Sequence, residues 1–338
     1  MRYRQLTPDI QVSEVGFGNW TVTTGWWGEY SEADAIALHR AAFDAGITFF
    51  DTADAYREGY AERVLGAALG DVRDQIVIAT KFGYDISDES TAGRRGQQER
   101  AKDFSLDSVR AALDASLDRL GVEHIDLWQL HNPRMGHIDD DSLFELLEDV
   151  RAAGKIRAYG VALGPKIGWL EEGVHAMRTR AVPAMQMIYN ALEQDPGREL
   201  LATAHETGTR MIVRVPHSSG MLEGDLTAET VFPKHDHRRH RPRSWLIEGV
   251  QKVAALEFLT GGQAGGRTLG QAALRWVLSD DHVASTLPNI YGPEQIAEFA
   301  GATDVPDLSE AELRRVASLY ADNFGVIPVT DQVTKVNA

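Results

Sequence analysis

The chain has 338 residues, 43% of them apolar, which is ample for a core; the length prior suggests two domains, yet one α/β barrel routinely runs this long. A net charge of −16 argues against generic nucleic-acid binding, and the absence of cysteine excludes disulfides, thiolate nucleophiles and cysteine-held metal. No window reaches the roughly 18 uncharged apolar residues of a membrane span, and MRYRQLTPDI lacks a signal peptide's apolar stretch, so a cytoplasmic protein without membrane partners is expected.

Weak alternation in MRYRQL and QVSEVGFG suits a short hairpin leading into a first strand at about Val12 to Gly18. TVTTGWWGEY then makes a loop carrying Trp26, Trp27 and Tyr30, and Ser31 with Asp34 reads as a cap before the helix EADAIALHRAAFDAG, which Gly46 stops. Strand two, Thr48 to Asp51, ends in a carboxylate, and Tyr56 follows shortly after it. A helix from about Gly59 to Leu69 puts Ala61, Val64, Leu65 and Ala68 on one face, and the next apolar run, Ile76 to Thr80, ends in Lys81. A polar loop, Tyr84 to Asp103, precedes an amphipathic helix capped by Ser105, with Leu106, Val109, Leu113, Leu117 and Leu120 at helical spacing. Strand four ends in His131.

Further on, a helix at Asp141 to Ala153, a strand in GKIRAYGVAL, a helix near Trp169 to Arg178, a strand in PAMQMIYN, a helix at Gly197 to Glu206 and a strand in TRMIVRVP continue the alternation. A long insertion, His217 to Pro242, separates the seventh strand from helical segments at Trp245 to Leu259 and Thr268 to Ser279. HVASTLP is the eighth strand, Pro293 to Ala300 a helix and Ser309 to Tyr320 a terminal helix, followed by a tail in which Phe324, Val326 and Ile327 suggest packing. Eight strand signals alternating with helices, without repeats or a linker, predict one (β/α)8 TIM barrel domain over residues 1–338, with an N-terminal β-hairpin and an extra C-terminal helix and tail. Of the seven tryptophans, Trp128 and Trp276 read as core, while Trp26 and Trp27 stand in a loop at the active end.

Parallel neighbours would bring Asp51, Tyr56, Lys81 and His131 to one sheet end. Hydride arriving at a carbonyl carbon builds negative charge on its oxygen, so a proton donor must stand beside that oxygen. A free phenol is too weak an acid, but a cation beside it stabilises the phenolate and a carboxylate can hold the cation. Taken singly, Asp51 is also a plausible helix cap, Lys81 a surface lysine and His131 a satisfied strand-end side chain. Together, FFDTADAY, IVIATKFG and IDLWQLHNP resemble the three signature segments of the aldo-keto reductases. That resemblance implies catalytic roles for Asp51, Tyr56, Lys81 and His131, NADP(H) as cofactor with NAD(H) as the other candidate, and a small-molecule carbonyl substrate, an aldehyde, ketone or sugar. It places Gly18, Asn19, Trp20, Asp51, Gln186, Arg214, Pro216, Ser219, Gly220, Leu222, Pro288, Asn289 and Gln295 at the cofactor, with Asn190 near the carboxamide.

Departures from the family pattern follow the fifth strand. The family's nicotinamide-stacking aromatic falls on Arg214, and its Ser-Asn pair on Ala162-Leu163. LPNIYGPEQIAEF keeps Gln295, but Tyr291 and Gly292 stand where the family's basic pair meets the adenosine 2′-phosphate, and Phe299 replaces an asparagine. One lysine, three histidines and four arginines within Lys234–Arg243 offer a substitute cation source; a solvated loop or a homo-oligomer contact are the other readings. His235 and His237 superficially resemble a metal pair without matching carboxylates, and no metal is expected. Two rival functions remain open at this level: a nicotinamide-binding regulatory module with slow turnover, and a Schiff-base lyase using Lys81.

Overall fold

The computed structural model describes residues 1–87, 99–164, 169–234 and 236–328. An antiparallel hairpin, β1 (Tyr3–Thr7) and β2 (Ile10–Ser13), precedes eight parallel strands: β3 (Phe17–Gly18), β4 (Phe49–Asp51), β5 (Val77–Phe82), β6 (Ile125–His131), β7 (Ile156–Ala162), β8 (Ala184–Ile188), β9 (Arg210–Arg214) and β10 (Val283–Leu287). Neighbours in the sheet are neighbours in sequence. A parallel bridge from Val15 to Thr286 closes the round, with the Gly16 N–H donating to Thr286 O and the Thr286 N–H to Glu14 O, each at 2.9 Å. The (β/α)8 barrel and its hairpin are therefore present, with the first barrel strand shorter and later than expected because Ile10–Ser13 belongs to the hairpin.

Helices α1 (Trp20–Thr23), α2 (Glu32–Asp44), α3 (Tyr60–Leu69), α4 (Leu106–Leu120), α5 (Met135–Ile138), α6 (Asp141–Ala152), α7 (Leu170–Arg180) and α8 (Gly197–Thr207) fill the first six connections between barrel strands. Between β9 and β10 come α9 (Arg243–Ala254) and α10 (Leu269–Val277), then α11 (Pro293–Ala300) and the terminal α12 (Glu310–Ala321). Ser31 and Asp34 form a reciprocal capping box on α2, as the local sequence predicts. At α4 the cap differs: Ser105 makes no side-chain cap, and Asp103 Oδ1 instead accepts the Ser105 N–H at 2.9 Å. Val109, Leu113, Leu117 and Leu120 do form the buried stripe of α4. The segment expected as one helix to Leu259 ends at Ala254 and resumes as a 3-10 turn, Glu257–Leu259. No helix among the described residues is long and apolar enough to cross a membrane.

Strand side chains alternate, and the alternation separates two apolar layers. Phe50, Ile78, Trp128 and Met185 point outward to the helices. Phe49, Val77, Ala79, Leu127, Ala158, Ala184 and Ile212 fill the barrel, where Leu6, Ile10 and Val12 of the hairpin plug one end. Trp128 and Trp276 are core, as their strand and helix settings predict. In the tail, Phe324 is buried but Ile327 is 87% exposed, so packing stops short of it; residues 329–338, like the middle of the Tyr84 to Asp103 loop, lie outside the described residues.

At the plugged end, Glu14 is buried between two guanidiniums, accepting from Arg4 Nε at 2.7 Å and Arg275 Nη1 at 2.6 Å. Arg4 also donates to the carbonyls of Leu278, Asp280 and Val283, which ties the hairpin to the approach to β10. Glu14→Ala removes the buried partner shared by Arg4 and Arg275 and leaves Arg275, whose side chain is only 3% exposed, with the exposed Asp307 alone. The expected loss, read from urea unfolding, is about 3–5 kcal/mol.

Candidate active site

Residues two apart on a strand share a face, so the inward row set by Phe49, Val77 and Ala79, Leu127, Ala184 and Ile212 continues to Asp51, Lys81, Gln129 and His131, Gln186 and Arg214 at the strand ends. Sheet register puts Lys81 beside Gln129 and Asp51 beside Ala79. Lys81 is buried, with Nζ donating to Asp51 Oδ1 at 2.6 Å, Thr52 O at 2.6 Å and the Tyr56 hydroxyl at 3.4 Å. The other carboxylate oxygen of Asp51 accepts from Gln129 Nε2 at 3.1 Å and Gln186 Nε2 at 2.9 Å. Burial works against the Lys81 charge, yet Asp51 and Tyr56 outweigh it and hold the ammonium pKa above its ordinary value.

His131 meets Tyr56 and Tyr84 edge to face, with centroids 6.1 and 4.7 Å apart. Burial first, then the charges of Lys81, Arg214 and Lys102, push its pKa well below the usual histidine value, so the ring is neutral. Its Nδ1 is buried and meets no partner among the described residues. Tyr84 accepts from Asn132 Nδ2 at 2.5 Å and donates to Glu99 Oε1 at 2.8 Å, and Lys102 pairs with Glu99 at 2.8 Å. Asn132 takes a left-handed backbone, φ +53°, which asparagine tolerates and which turns the chain away after His131.

Sequence reasoning missed Gln129, Tyr84 and Asn132. Gln129 had a legible signal, since it sits two residues before His131 on the same strand face; Tyr84 and Asn132 had none, because their pairing joins two separate loops. Arg57 and Glu58 were missed as well. They follow Tyr56 with φ +49° and +51°, an uncommon conformation for non-glycine residues. Beside Tyr56 opens a cavity of about 520 Å³ lined by Trp20, Trp26, Tyr30, Arg57, Glu58 and Arg100 among others. Arg100 pairs with Glu58 across it, and Trp20 stacks on Trp26 at 6.4 Å.

Among the residues that the resemblance places at the cofactor, Ser219 and Gly220 form a buried turn in which Ser218, Ser219 and Gly220 all have positive φ, +48°, +59° and +89°. The amides of Ser219 and Gly220 meet no acceptor among the described residues, and a Cβ on Gly220 would lie 2.9 Å from Arg238 Nη1. Free amides in a cradle that only glycine leaves open suit an anion. Arg241 Nη2 reaches Ser219 Oγ at 3.4 Å and its Nε is buried without a partner. Arg238 is already committed: it pairs with Asp236 at 2.6 Å and lies 4.2 Å over Trp27 and 4.4 Å over Phe232. His237 packs among Trp20, Trp26 and Trp27, where burial lowers its pKa to about 4; His235 lies outside the described residues.

Several other residues expected at the cofactor bond or pack within the fold. Asn19 is fully buried and bonded to His39 and Ala61 O; Asn190 holds its own loop through Glu193, Leu192 and Val215. Gly18 pairs with Asp51 in the sheet, Asn289 Oδ1 accepts from Thr21 at 3.3 Å, and Tyr291 donates to Glu223 at 2.6 Å. Pro216, Leu222 and Pro288 are buried beside the turn ends, and Gln295 lies on α11 partly exposed. Arg214 Nη2 donates to Leu163 O and Gly164 O at 3.0 and 2.9 Å.

The sequence model of the aldo/keto reductase family matches residues 14–321. The chain belongs to this family. Its relatives include the aldo-keto reductase YhdN of Bacillus subtilis (strain 168), 28% identical over 96% of this chain and 97% of the relative. The NADH-specific methylglyoxal reductase of Escherichia coli (strain K12) is also 28% identical, over 90% and 94%. Among solved structures, glycerol dehydrogenase AKR11B4 of Gluconobacter oxydans is similar at TM-score 0.79 and 25% identity over 98% and 99% of the two chains. The holo form of aldo-keto reductase AKR11C1 of Bacillus halodurans gives 0.74 and 26% over 94% and 96%. As an aldo-keto reductase this protein is an NAD(P)H-dependent oxidoreductase acting on small-molecule carbonyl compounds.

Beneath the Tyr56 loop, Asp54 is 1% exposed and its Oδ1 has no partner among the described residues. Burial, then the neighbouring Glu62 charge, push its pKa up to about 8 despite Arg119 and Lys81. Between the unfolded value and about 8 the folded state keeps a proton that the unfolded state has lost, so this group makes stability fall as pH rises through that window. Asp54→Asn is expected to flatten that fall, gaining on the parent in urea midpoint from pH 5 to pH 8; parallel pH dependences would refute the assignment.

Proposed function

We propose that the protein transfers a hydride between a nicotinamide dinucleotide and the carbonyl or alcohol of a small oxygenated substrate, an aldehyde, ketone or sugar, with Tyr56 as general acid and base. The observation that carries this reading is Lys81 Nζ, which touches both Asp51 and the Tyr56 hydroxyl. A cation so placed stabilises the phenolate left when Tyr56 gives its proton to the substrate oxygen. Asp51, gripped by Gln129 and Gln186, keeps that cation in place. Neutral His131, with its proton on the nitrogen away from the buried Nδ1, donates to the same oxygen and orients it. When bound, the dinucleotide supplies the hydride.

Substrate class follows from the cavity beside Tyr56. Aromatic faces at Trp20, Trp26 and Tyr30 alternate with charged groups at Arg57, Glu58 and Arg100, a lining that suits a short chain bearing several oxygens. Relatives named as a methylglyoxal reductase and a glycerol dehydrogenase support small oxygen-rich substrates. A Schiff-base role for Lys81 is disfavoured, since an amine nucleophile needs a lowered pKa and this one is raised. Slow regulatory turnover finds no support in a tetrad this complete.

For the cofactor, the Ser219-Gly220 turn with Arg241 is the anion cradle, and Ser219, Gly220, Pro216 and Leu222 are its proposed lining. Arg241 stands at this turn, whereas Tyr291, at the position the family pattern gives a base, is bonded to an acid, Glu223. This favours Arg241 acting on the pyrophosphate shared by both dinucleotides, so NADP(H) keeps no local advantage over NAD(H) from the basic segment after β9.

Tyr56→Phe is expected to keep cofactor binding while lowering the rate constant by roughly 100-fold or more, and Lys81→Met to act in the same direction and shift the pH–rate profile. Undiminished single-turnover hydride transfer in the phenylalanine variant would sink the assignment. For the cradle, Arg241→Ala is expected to weaken NADPH and NADH alike, each by the roughly 1.5–3 kcal/mol of a charge-assisted contact. Titration of both cofactors checks this, and a loss confined to NADPH would return Arg241 to the 2′-phosphate.

A further inference from the structure

We infer that Arg214 biases the site toward the reduced dinucleotide and so sets the protein for carbonyl reduction, because its guanidinium, pinned by the Leu163 and Gly164 carbonyls, meets no carboxylate among the described residues; this rests on the hydride-transfer reading above. Arg214 ends β9 two residues beyond Ile212, on the inward row that carries Asp51, Lys81, Gln129 and Gln186. Its charge acts on Tyr56, Asp51 and Tyr84, and it is one of three cations that keep His131 unprotonated.

Charge balance around the tetrad shows what such a cation does. Lys81 is neutralised by Asp51 and Lys102 by Glu99, while His131 is neutral. Arg214 is left without a paired carboxylate among the described residues, held in partly buried surroundings where charge is costly. Hydride transfer moves two electrons and one hydrogen nucleus to the carbonyl carbon, and Tyr56 supplies the proton to the oxygen. When bound, the nicotinamide would be neutral in its reduced form and cationic in its oxidised form, and reaction would require it to stand near the Tyr56 hydroxyl. A positive ring in such surroundings would be repelled by the Arg214 guanidinium, by an amount equivalent to roughly tenfold or more in affinity. The reduced form feels no such repulsion. Arg214 therefore favours uptake of the reduced cofactor and hastens departure of the oxidised one, a step that often limits turnover in enzymes that release product slowly.

A purely structural Arg214, tying β9 to the end of β7, would leave this discrimination untouched. The two roles separate by measuring, at equilibrium and without substrate, the dissociation constants of the reduced and oxidised forms of one dinucleotide. The wild type is expected to bind the reduced form at least roughly tenfold more tightly, Arg214→Gln to lose most of that ratio, and Arg214→Lys, which keeps the charge, to retain it. Equal binding of the two forms by the wild type overturns the inference even if the glutamine variant fails to fold. So does an unchanged ratio in Arg214→Gln, and so does an Arg214→Lys variant that loses as much as Arg214→Gln, since packing and not charge would then be responsible. Failure of the wild type to bind either form would instead overturn the hydride-transfer reading itself.

Discussion

Lys81 is almost wholly removed from water, and an ammonium there persists only because Asp51 and the Thr52 carbonyl sit 2.6 Å from it. Desolvating both charges costs several kcal/mol per ion, which a bare Coulomb attraction offsets poorly unless the remaining polar capacity is also satisfied. Here it is. Gln129 and Gln186 occupy the second oxygen of Asp51, so β4, β5, β6 and β8 all contribute to one buried polar knot. The barrel interior below it is apolar, so the knot sits on a hydrophobic floor, and its geometry is that of the strands themselves.

A second network supports the loop that carries Tyr56. Glu62 of α3, fully buried, accepts from Thr80 and from Arg119 of α4, each at 2.6 Å. Arg119 lies so close to Gly59 that a Cβ there would come within 2.3 Å of its Cδ. Glycine at this point, in a left-handed conformation, is what lets two helices and a strand close under Arg57 and Glu58, whose own backbones are left-handed. The strain stands one residue from the phenol, where placement decides whether the hydroxyl meets Lys81. On the opposite rim, tryptophans 20, 26 and 27 pack with His237 and Arg238, so the basic segment after β9 is fastened to the loop after β3 through aromatic faces.

The barrel was legible because short continuous apolar runs alternate with amphipathic stripes such as that of α4. The four tetrad residues were legible because each ends, or follows, such a run. Less accessible was the fate of polar side chains whose partners are far away in sequence. Asn19 looks like a cofactor ligand in sequence, yet it is bonded to His39 and Ala61 O inside the fold. Arg238 and Arg241 read as equals in a basic cluster and both reach Ser219, but Arg238 is also matched by Asp236 and clasped by two aromatics.

Strand ends, helix stripes and the order of Asp51, Tyr56, Lys81 and His131 were determined by the sequence alone, since they depend on local periodicity and on positions along one chain. Whether a charge is paired was decided only by the tertiary structure. Pairing depends on through-space distances of a few ångströms between segments tens to hundreds of residues apart, and burial multiplies the energy of each such distance. Hence Lys81 carries a balanced charge while Arg214 meets only carbonyls and no carboxylate among the described residues, although both are basic residues at the inward ends of barrel strands.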